Sequence, residues 1–587
     1  MEKIFIKLAL VSTLCVVAFS GCKKMFEKSS TKELNSENAY QNIYDADAAV
    51  MGIYGKFMGL ADRYIILNEL RADLLDYTSN ANAELRQISN HTATEDNTYA
   101  SPRPFYEVII NCNDVLQHLT AMYEDKKITE TDYYQRYSDV GCLRSFLYLQ
   151  LGIHYGDQVR YVTSPLATLD EVNNADLFPQ VTFDALLDSL VTFAEALPYK
   201  DRYPSGTSLN ITLDGYPTQL FYINKLNLLG DLYLWQENYN MAATYYRQLM
   251  EYASDGSGSS ASYTQYKLGW TSTDAVDNYV EYTLAGSALN LRKDIGWRCI
   301  FDRLPTTTGY TFEWIWALPY DNNFAPANPL IDLFSPIGGS YLVKPSQQIM
   351  DMWNSQTQRV VTVASSTNGL PYDARGELSV QTIGGQPVVM KYLYKYLDYE
   401  TNLPITDVLV KDGEWYLLRQ TQLHMRFAEA ANREGWHKLA YALFNSGIGQ
   451  TFDSTGAVDI TNWMNTLDYP YPYNFDARYK QTAIPFYRGV WYRNLGVRRR
   501  ANVMDYQVDA TDSLLSVEDG LIQEMALENA FEGARWGDLL RIARRRNDPS
   551  FLADKVYQKL LKDGDANAEA ARTKLMSKEG WYLPFKL

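Results

Sequence analysis

Apolar residues recur at three- and four-residue spacing through most of the first half of the chain, a period that predicts amphipathic helices. The pattern runs over Ala46 to Met58, Arg103 to Tyr123 and Asp132 to Tyr155. It returns over Val181 to Leu197, where Pro198 supplies a stop signal. Thr218 to Tyr252 predicts two helices joined by a short turn around Glu237-Asn238. Leu229, Gly230 and Tyr233 fall on the first of these helices, Ala242 and Tyr246 on the second. This spacing is that of a tetratricopeptide repeat. Its small residues let two antiparallel helices approach, and its aromatics fill the groove between them. A second copy is carried by Phe427-Ala428, Ala431, Ala440 and Phe444, and a half-copy by Leu151-Gly152 and Tyr155. Together they predict a helical-repeat scaffold.

Other segments lack the helical period. Ser254 to Ser262 is rich in Ser and Gly and reads as a flexible loop. Gly296 to Lys344 and Thr451 to Pro485 are irregular and aromatic, and Tyr372 to Tyr399 holds short β-type runs such as Val388 to Tyr394. Long loops in a globular chain usually carry function. Ser516 to Arg546 reads as one last helix.

The first residues form a targeting pattern. Lys3 and Lys7 precede the apolar run Leu8 to Phe19, which is too short to span a bilayer as a mature helix. Ser20-Gly21-Cys22 follows, the small-residue-then-cysteine arrangement at which a lipoprotein signal peptidase cuts. Cys22 is therefore the expected lipidation site, and the polar segment Lys23 to Glu37 the tether. An ordinary signal peptide with a chance cysteine is the competing reading. Cys112, Cys142 and Cys299 are then too few for a disulfide framework.

Charge and composition narrow the function. The formal net charge of −16 argues against nucleic acid, whose binding needs a basic footprint. Aromatic residues reach 14 %, with 46 Tyr, 22 Phe and 12 Trp, more than core packing alone requires. Their rings suit wet binding surfaces as well as cores. No GxSxG, GxGxxG, phosphate-loop or HExxH pattern occurs. Asp563-x-Asp565-x-Asn567 opens like a calcium loop, but Ala568 and Lys574 replace the Gly and Glu that such a loop requires. The sequence thus calls for no metal, no cofactor and no catalytic group.

The candidate chemistry is instead aromatic. Trp297-Arg298, Trp314-x-Trp316 and Tyr320-Asp321-Asn322-Asn323 lie close together in the irregular centre. Aromatic platforms take the apolar face of a sugar ring, while Asn, Asp and Arg take its hydroxyls. Arg63-Tyr64, Tyr77 and Asn97-Thr98-Tyr99 are further candidates in polar segments near the first helices. Packing of these rings onto the scaffold is the competing role, since large aromatics are mostly buried.

Five stretches carry a family resemblance. They are Asn111-Cys112-Asn113 after Pro104-Phe105-Tyr106; Leu143 to Tyr148 with Tyr155-Gly156-Asp157; Leu418-Arg419 with Phe427 to Ala430; Val497 to Ala501; and Glu528 to Leu539. In order and spacing the chain resembles the SusD/RagB family of outer-membrane lipoproteins. The resemblance implies a mainly α fold, the SusD-like fold, in which tetratricopeptide-like hairpins form a scaffold with long irregular loops and little β. It implies residues 1–21 as signal, 22–37 as tether, 38–253 as an N-terminal helical half, 254–415 as a loop-rich ligand-binding region and 416–587 as a C-terminal helical half. It also implies a non-enzymatic lid on a SusC-like TonB-dependent transporter in the outer membrane, facing the exterior and binding oligosaccharides. A peptide-capturing lid of a RagA-like importer is the alternative, and a surface glycoside hydrolase a third.

Overall fold

The structure is a computed structural model. It describes residues 40–166, 177–199, 215–251, 298–302, 313–359, 373–455, 462–480 and 485–587, with 171, 174, 203–204, 206–213 and 268 between them. Cys22, the expected lipidation site, the Ser/Gly-rich loop and Trp297 lie outside the described residues. Among the described residues no helix is long and apolar enough to cross a membrane.

The fold is mainly α. Helix α1 (Ile43–Met58) starts at an Asn42 cap, with Asp45 closing a capping box. Helices α2 (Arg103–Glu124) and α3 (Glu130–Tyr155) follow. Helix α4 (Phe183–Ala196) starts at a Thr182 cap and ends before Pro198. Helices α5 (Lys225–Trp235) and α6 (Tyr239–Met250) form the expected repeat hairpin. Its logic is visible at Gly230, where a Cβ would collide with the ring of Tyr246. Gly152 on α3 admits the ring of Phe183 in the same way. The second hairpin consists of α7 (Gln420–Arg433) and α8 (His437–Phe444). Far apart in sequence, the two hairpins meet through α6 and α7. Asp231 on α5 joins them, accepting from Tyr246 Oη (2.6 Å) and from the Arg426 guanidinium (2.9 Å). Cys112 and Cys142 are buried free thiols.

Two sequence expectations need correction. The central aromatic stretch is not wholly irregular: Trp314–Tyr320 is a strand, paired antiparallel with Gly413–Arg419. Both strands are almost wholly buried, so they lack the polar alternation that marks a half-exposed strand. The last predicted helix is two helices, α9 (Ser513–Asn529) and α10 (Arg535–Arg546). The break contains Phe531 (φ 72°) and Gly533 (φ 85°), a left-handed backbone that a helix cannot contain. The Glu69 carboxyl accepts the N–H groups of Phe531, Gly533, Ala534 and Arg535, so a distant residue satisfies the start of α10. Two further helices, α11 (Pro549–Lys562) and α12 (Ala568–Leu575), complete the chain.

The charged residues of the C-terminal signature lie in the core. Arg375, Lys391, Arg419, Arg498 and Arg500 are interleaved with Glu313, Asp373, Glu524, Glu528 and Glu532. Arg419 alone reaches Glu528 (2.7 Å), Glu532 (2.8 Å) and Glu313 (3.1 Å). The network welds the strand Gly413–Arg419 to α9. Its five cations face five anions, as buried charge requires.

Candidate functional site

The strand Leu75–Tyr77 pairs antiparallel with Val343–Pro345, bringing together segments about 260 residues apart. Beyond their ends lies a cleft of about 520 Å³, lined by Tyr77, Asn80, Ser340, Tyr341, Lys344 and Gln386 among others. Its walls are held by main-chain anchors. Thr78 Oγ1 donates to the Tyr341 carbonyl (2.6 Å), and the Thr78 N–H to that of Leu342 (3.0 Å). The Asn80 amide donates to the Ser340 carbonyl (3.1 Å). Tyr341 has a left-handed backbone (φ 49°) and donates from its hydroxyl to Pro387 (2.6 Å).

Tyr77 is half-buried, with its hydroxyl donating to Asp565 (3.0 Å). Burial, reinforced by that carboxylate, pushes the phenol up to about 12. The Arg86 guanidinium lies 5.3 Å from its ring centroid and donates to the carbonyls of Ser79 and Ala81. Lys344 stands 3.4 Å from Asp76. The lining is two fixed tyrosine rings, Tyr77 and Tyr341, among hydroxyls, amides and a single ammonium. That combination can hold a polyhydroxylated ring by its face and its edge.

The helix Ala83–Ser89 links this cleft to the next candidates. Arg86 points to Tyr77, while Glu84 and Gln87 bind Asn97 and Thr98. Arg63 donates to the carbonyls of Thr98 (2.7 Å) and Tyr99 (2.6 Å). Arg63 and Tyr99 are half-buried on this side of the molecule. Asn97 is corrected to a structural residue: it is buried, and its amide and carbonyl are spent on the turn Asn97 to Ala100 and on Glu84 and Gln87. Tyr64 is likewise core, packed on Phe146 and Trp415.

The central aromatic cluster does not form an exposed platform. Trp314 is fully buried, stacked on Tyr416 at 4.1 Å, and its indole donates to the Ile300 carbonyl (2.7 Å). Trp316 lies against Phe57 and Phe146 and donates to the Phe221 carbonyl (2.9 Å). Tyr320 is buried and donates to the Met58 carbonyl (2.6 Å). Arg298 is buried, paired with Asp302 (2.7 Å) and 4.7 Å from the Tyr399 ring. Trp314 thus offers no face to a ligand, while the nearly fully buried Trp316 and Tyr320 border cavities of only about 50 and 180 Å³. Asn322 and Asn323 are exposed on the following turn, where Asn323 donates to Asp321 (2.8 Å).

Of the expected residues, only Tyr77 lines the cleft. Thr78, Asn80, Ser340, Tyr341, Lys344 and Gln386 were not legible as site residues. The polar run Thr78-Ser79-Asn80 beside Tyr77, and the turn Gly338-Gly339-Ser340-Tyr341, were the available signals. Nothing local joins them. Among the described residues, no group of three or more His, Cys, Asp or Glu could hold a metal ion.

By sequence, no family model and no curated protein matches the chain. Solved structures match it almost end to end. A SusD superfamily protein from Bacteroides vulgatus aligns with a TM-score of 0.57 at 14 % identity, covering 93 % of this chain and 96 % of that one. Surface glycan-binding protein A from Bacteroides uniformis aligns at 0.55 and 16 % identity, covering 92 % and 95 %. A laminarin-binding SusD-like protein aligns at 0.54 and 16 % identity, covering 90 % and 96 %. At this level of identity the likeness defines the fold: the chain has the SusD-like fold.

Proposed function

We propose that this protein captures oligosaccharides at the cell surface and passes them to a SusC-like TonB-dependent transporter, anchored to the outer membrane through lipid on Cys22. The observation that carries the reading is the near end-to-end likeness to solved proteins described as glycan-binding and laminarin-binding. The cleft beside Tyr77 supports it with suitable chemistry, an aromatic ring among hydroxyls and amides. The leader pattern ending at Cys22 supports the anchor. The protein acts by binding, in line with a sequence that carries no catalytic signature.

The test is calorimetric titration of the chain from Lys23 onward with neutral oligosaccharides and with mixed peptides, followed by analysis of the same tubes for cleavage products. The expected result is heat with a sugar and no new reducing ends. Heat with peptides alone would overturn the reading, as would release of reducing ends.

A further inference from the structure

A second cleft, of about 1050 Å³, opens where the end of α3, the start of α4, the turn between α5 and α6 and the C-terminal segment meet. It is about twice the volume of the cleft beside Tyr77. Contacts between distant segments build its walls. The Leu583 N–H donates to the His154 carbonyl (2.9 Å), and the Gln158 amide donates to the Leu583 carbonyl (3.2 Å). The Gln236 amide donates to Asp188 (2.7 Å) and so ties the α5–α6 turn to α4.

Tyr582 lines this cleft as Tyr77 lines the other: half-buried, with its hydroxyl tied. Arg544 donates to that hydroxyl (3.0 Å) and to Asp184 (2.8 Å). A Cβ at Gly156 (φ 57°) would lie 2.8 Å from the Tyr582 ring, so only glycine lets the ring rest on the main chain there. The hydroxyl accepts from Arg544, and its own proton has no acceptor among the described residues. Beside it, Trp235 is 9 % exposed, and its indole N–H has no hydrogen-bond partner among the described residues. Gln158, Gln236 and Asn238 add amides.

The charge of the lining is lopsided. Asp157, Asp184, Asp188, Glu237 and Glu579 are exposed around it, against Arg544 and Lys578. Carboxylates and amides take sugar hydroxyls, and a fixed tyrosine ring takes a sugar face. Excess carboxylate repels a ligand that carries carboxylates of its own.

We propose that this cleft is a second glycan-binding site, which takes neutral oligosaccharides against the Tyr582 ring and excludes uronates. The proposal rests on the glycan-capture reading and adds a site and a selectivity to it. A lysine-rich peptide would also meet the carboxylates, but it has no use for a fixed ring with a free phenol proton beside an unpartnered indole N–H.

The experiment titrates the chain from Lys23 onward with neutral glucan, mannan and xylan hexasaccharides, with an oligogalacturonate of equal length and with tetralysine. A neutral sugar should fill two sites per chain, and Tyr77→Ala should leave one. In that background Tyr582→Ala should weaken the remaining site about tenfold, whereas Tyr582→Phe, which keeps the ring, should retain most of the affinity. Gln236→Ala, on the opposite wall, should weaken it about threefold and serves if Tyr582→Ala does not fold, as read by thermal unfolding. A single site that Tyr77→Ala abolishes would overturn this proposal and leave glycan capture standing. Silence from every sugar, with or without tetralysine binding, would overturn both. Oligogalacturonate filling the site that survives Tyr77→Ala would overturn the selectivity, and unchanged affinity there in the folded Tyr582 and Gln236 alanine variants would overturn the site.

Discussion

Trp316 and Tyr77 look alike from their neighbours in the chain, yet the fold gives them opposite roles. Trp316 has its N–H satisfied by Phe221 and its ring enclosed by Phe57 and Phe146. Trp316→Ala should therefore cost about 3–5 kcal/mol of stability, read as a lower denaturant midpoint, because it leaves a core cavity. Tyr77 is half-buried and lines the cleft. Tyr77→Ala should weaken binding of a neutral oligosaccharide by about 1–3 kcal/mol if the ring is a central platform, measured by titration. A folded Tyr77→Ala protein with undiminished affinity would move the site elsewhere. The local sequence could not separate the two because aromatic and polar residues surround both. Exposure is decided by which strand pairs alongside, and pairing of Trp314–Tyr320 with Gly413–Arg419 buries one of them.

Helices in this fold are secured by residues far from them in sequence. Burial pushes the Glu69 carboxyl up to about 8 although it accepts N–H groups at the start of α10. A neutral acceptor therefore suffices at neutral pH. Glu69→Gln should be tolerated, whereas Glu69→Ala strands those donors and should cost about 1–3 kcal/mol in chemical unfolding. Glu429 on α7 behaves in the opposite sense. Against the desolvation of burial, Arg541 and Arg545, both on α10, pull it down to about 2. Its folded pKa is depressed, so its contribution is present above the unfolded value near 4.5 and is lost as pH falls through about 2. Unfolding free energy measured between pH 5 and pH 2 should fall steeply, and Glu429→Gln should flatten that slope. A slope unchanged in the variant would place the acid sensitivity in other carboxyls. The repeat hairpins were legible because their small-residue and aromatic spacing is local. The break between α9 and α10 was not, because Glu69 satisfies it from more than 400 residues away.

At the scale of the whole molecule, the buried charge network sets the architecture. Arg419 sits at its centre, with Glu313, Glu528 and Glu532 around it. Removing one partner from a buried ion array leaves charge uncompensated, so Arg419→Leu should cost about 3–5 kcal/mol. The expected readout is a large fall in the thermal midpoint. A variant as stable as the parent would show that the array does not hold strand and helix together. The same fold leaves a cleft rich in hydroxyls and amides where the strands Leu75–Tyr77 and Val343–Pro345 end.

Spacing within a few turns of chain was enough to reveal the helices of the first half, the repeat hairpins and the family-like order of charged motifs, but not the break between α9 and α10. The sequence by itself also marked the targeting pattern and the unusual aromatic content. Only the tertiary structure decided which aromatics are core and which line a cleft, because burial depends on strand partners that are distant in sequence. It also decided where the signature's charges go. An Arg or Glu on a helix reads as solvated until the fold removes water from it, and then it needs the opposite charge that only folding supplies.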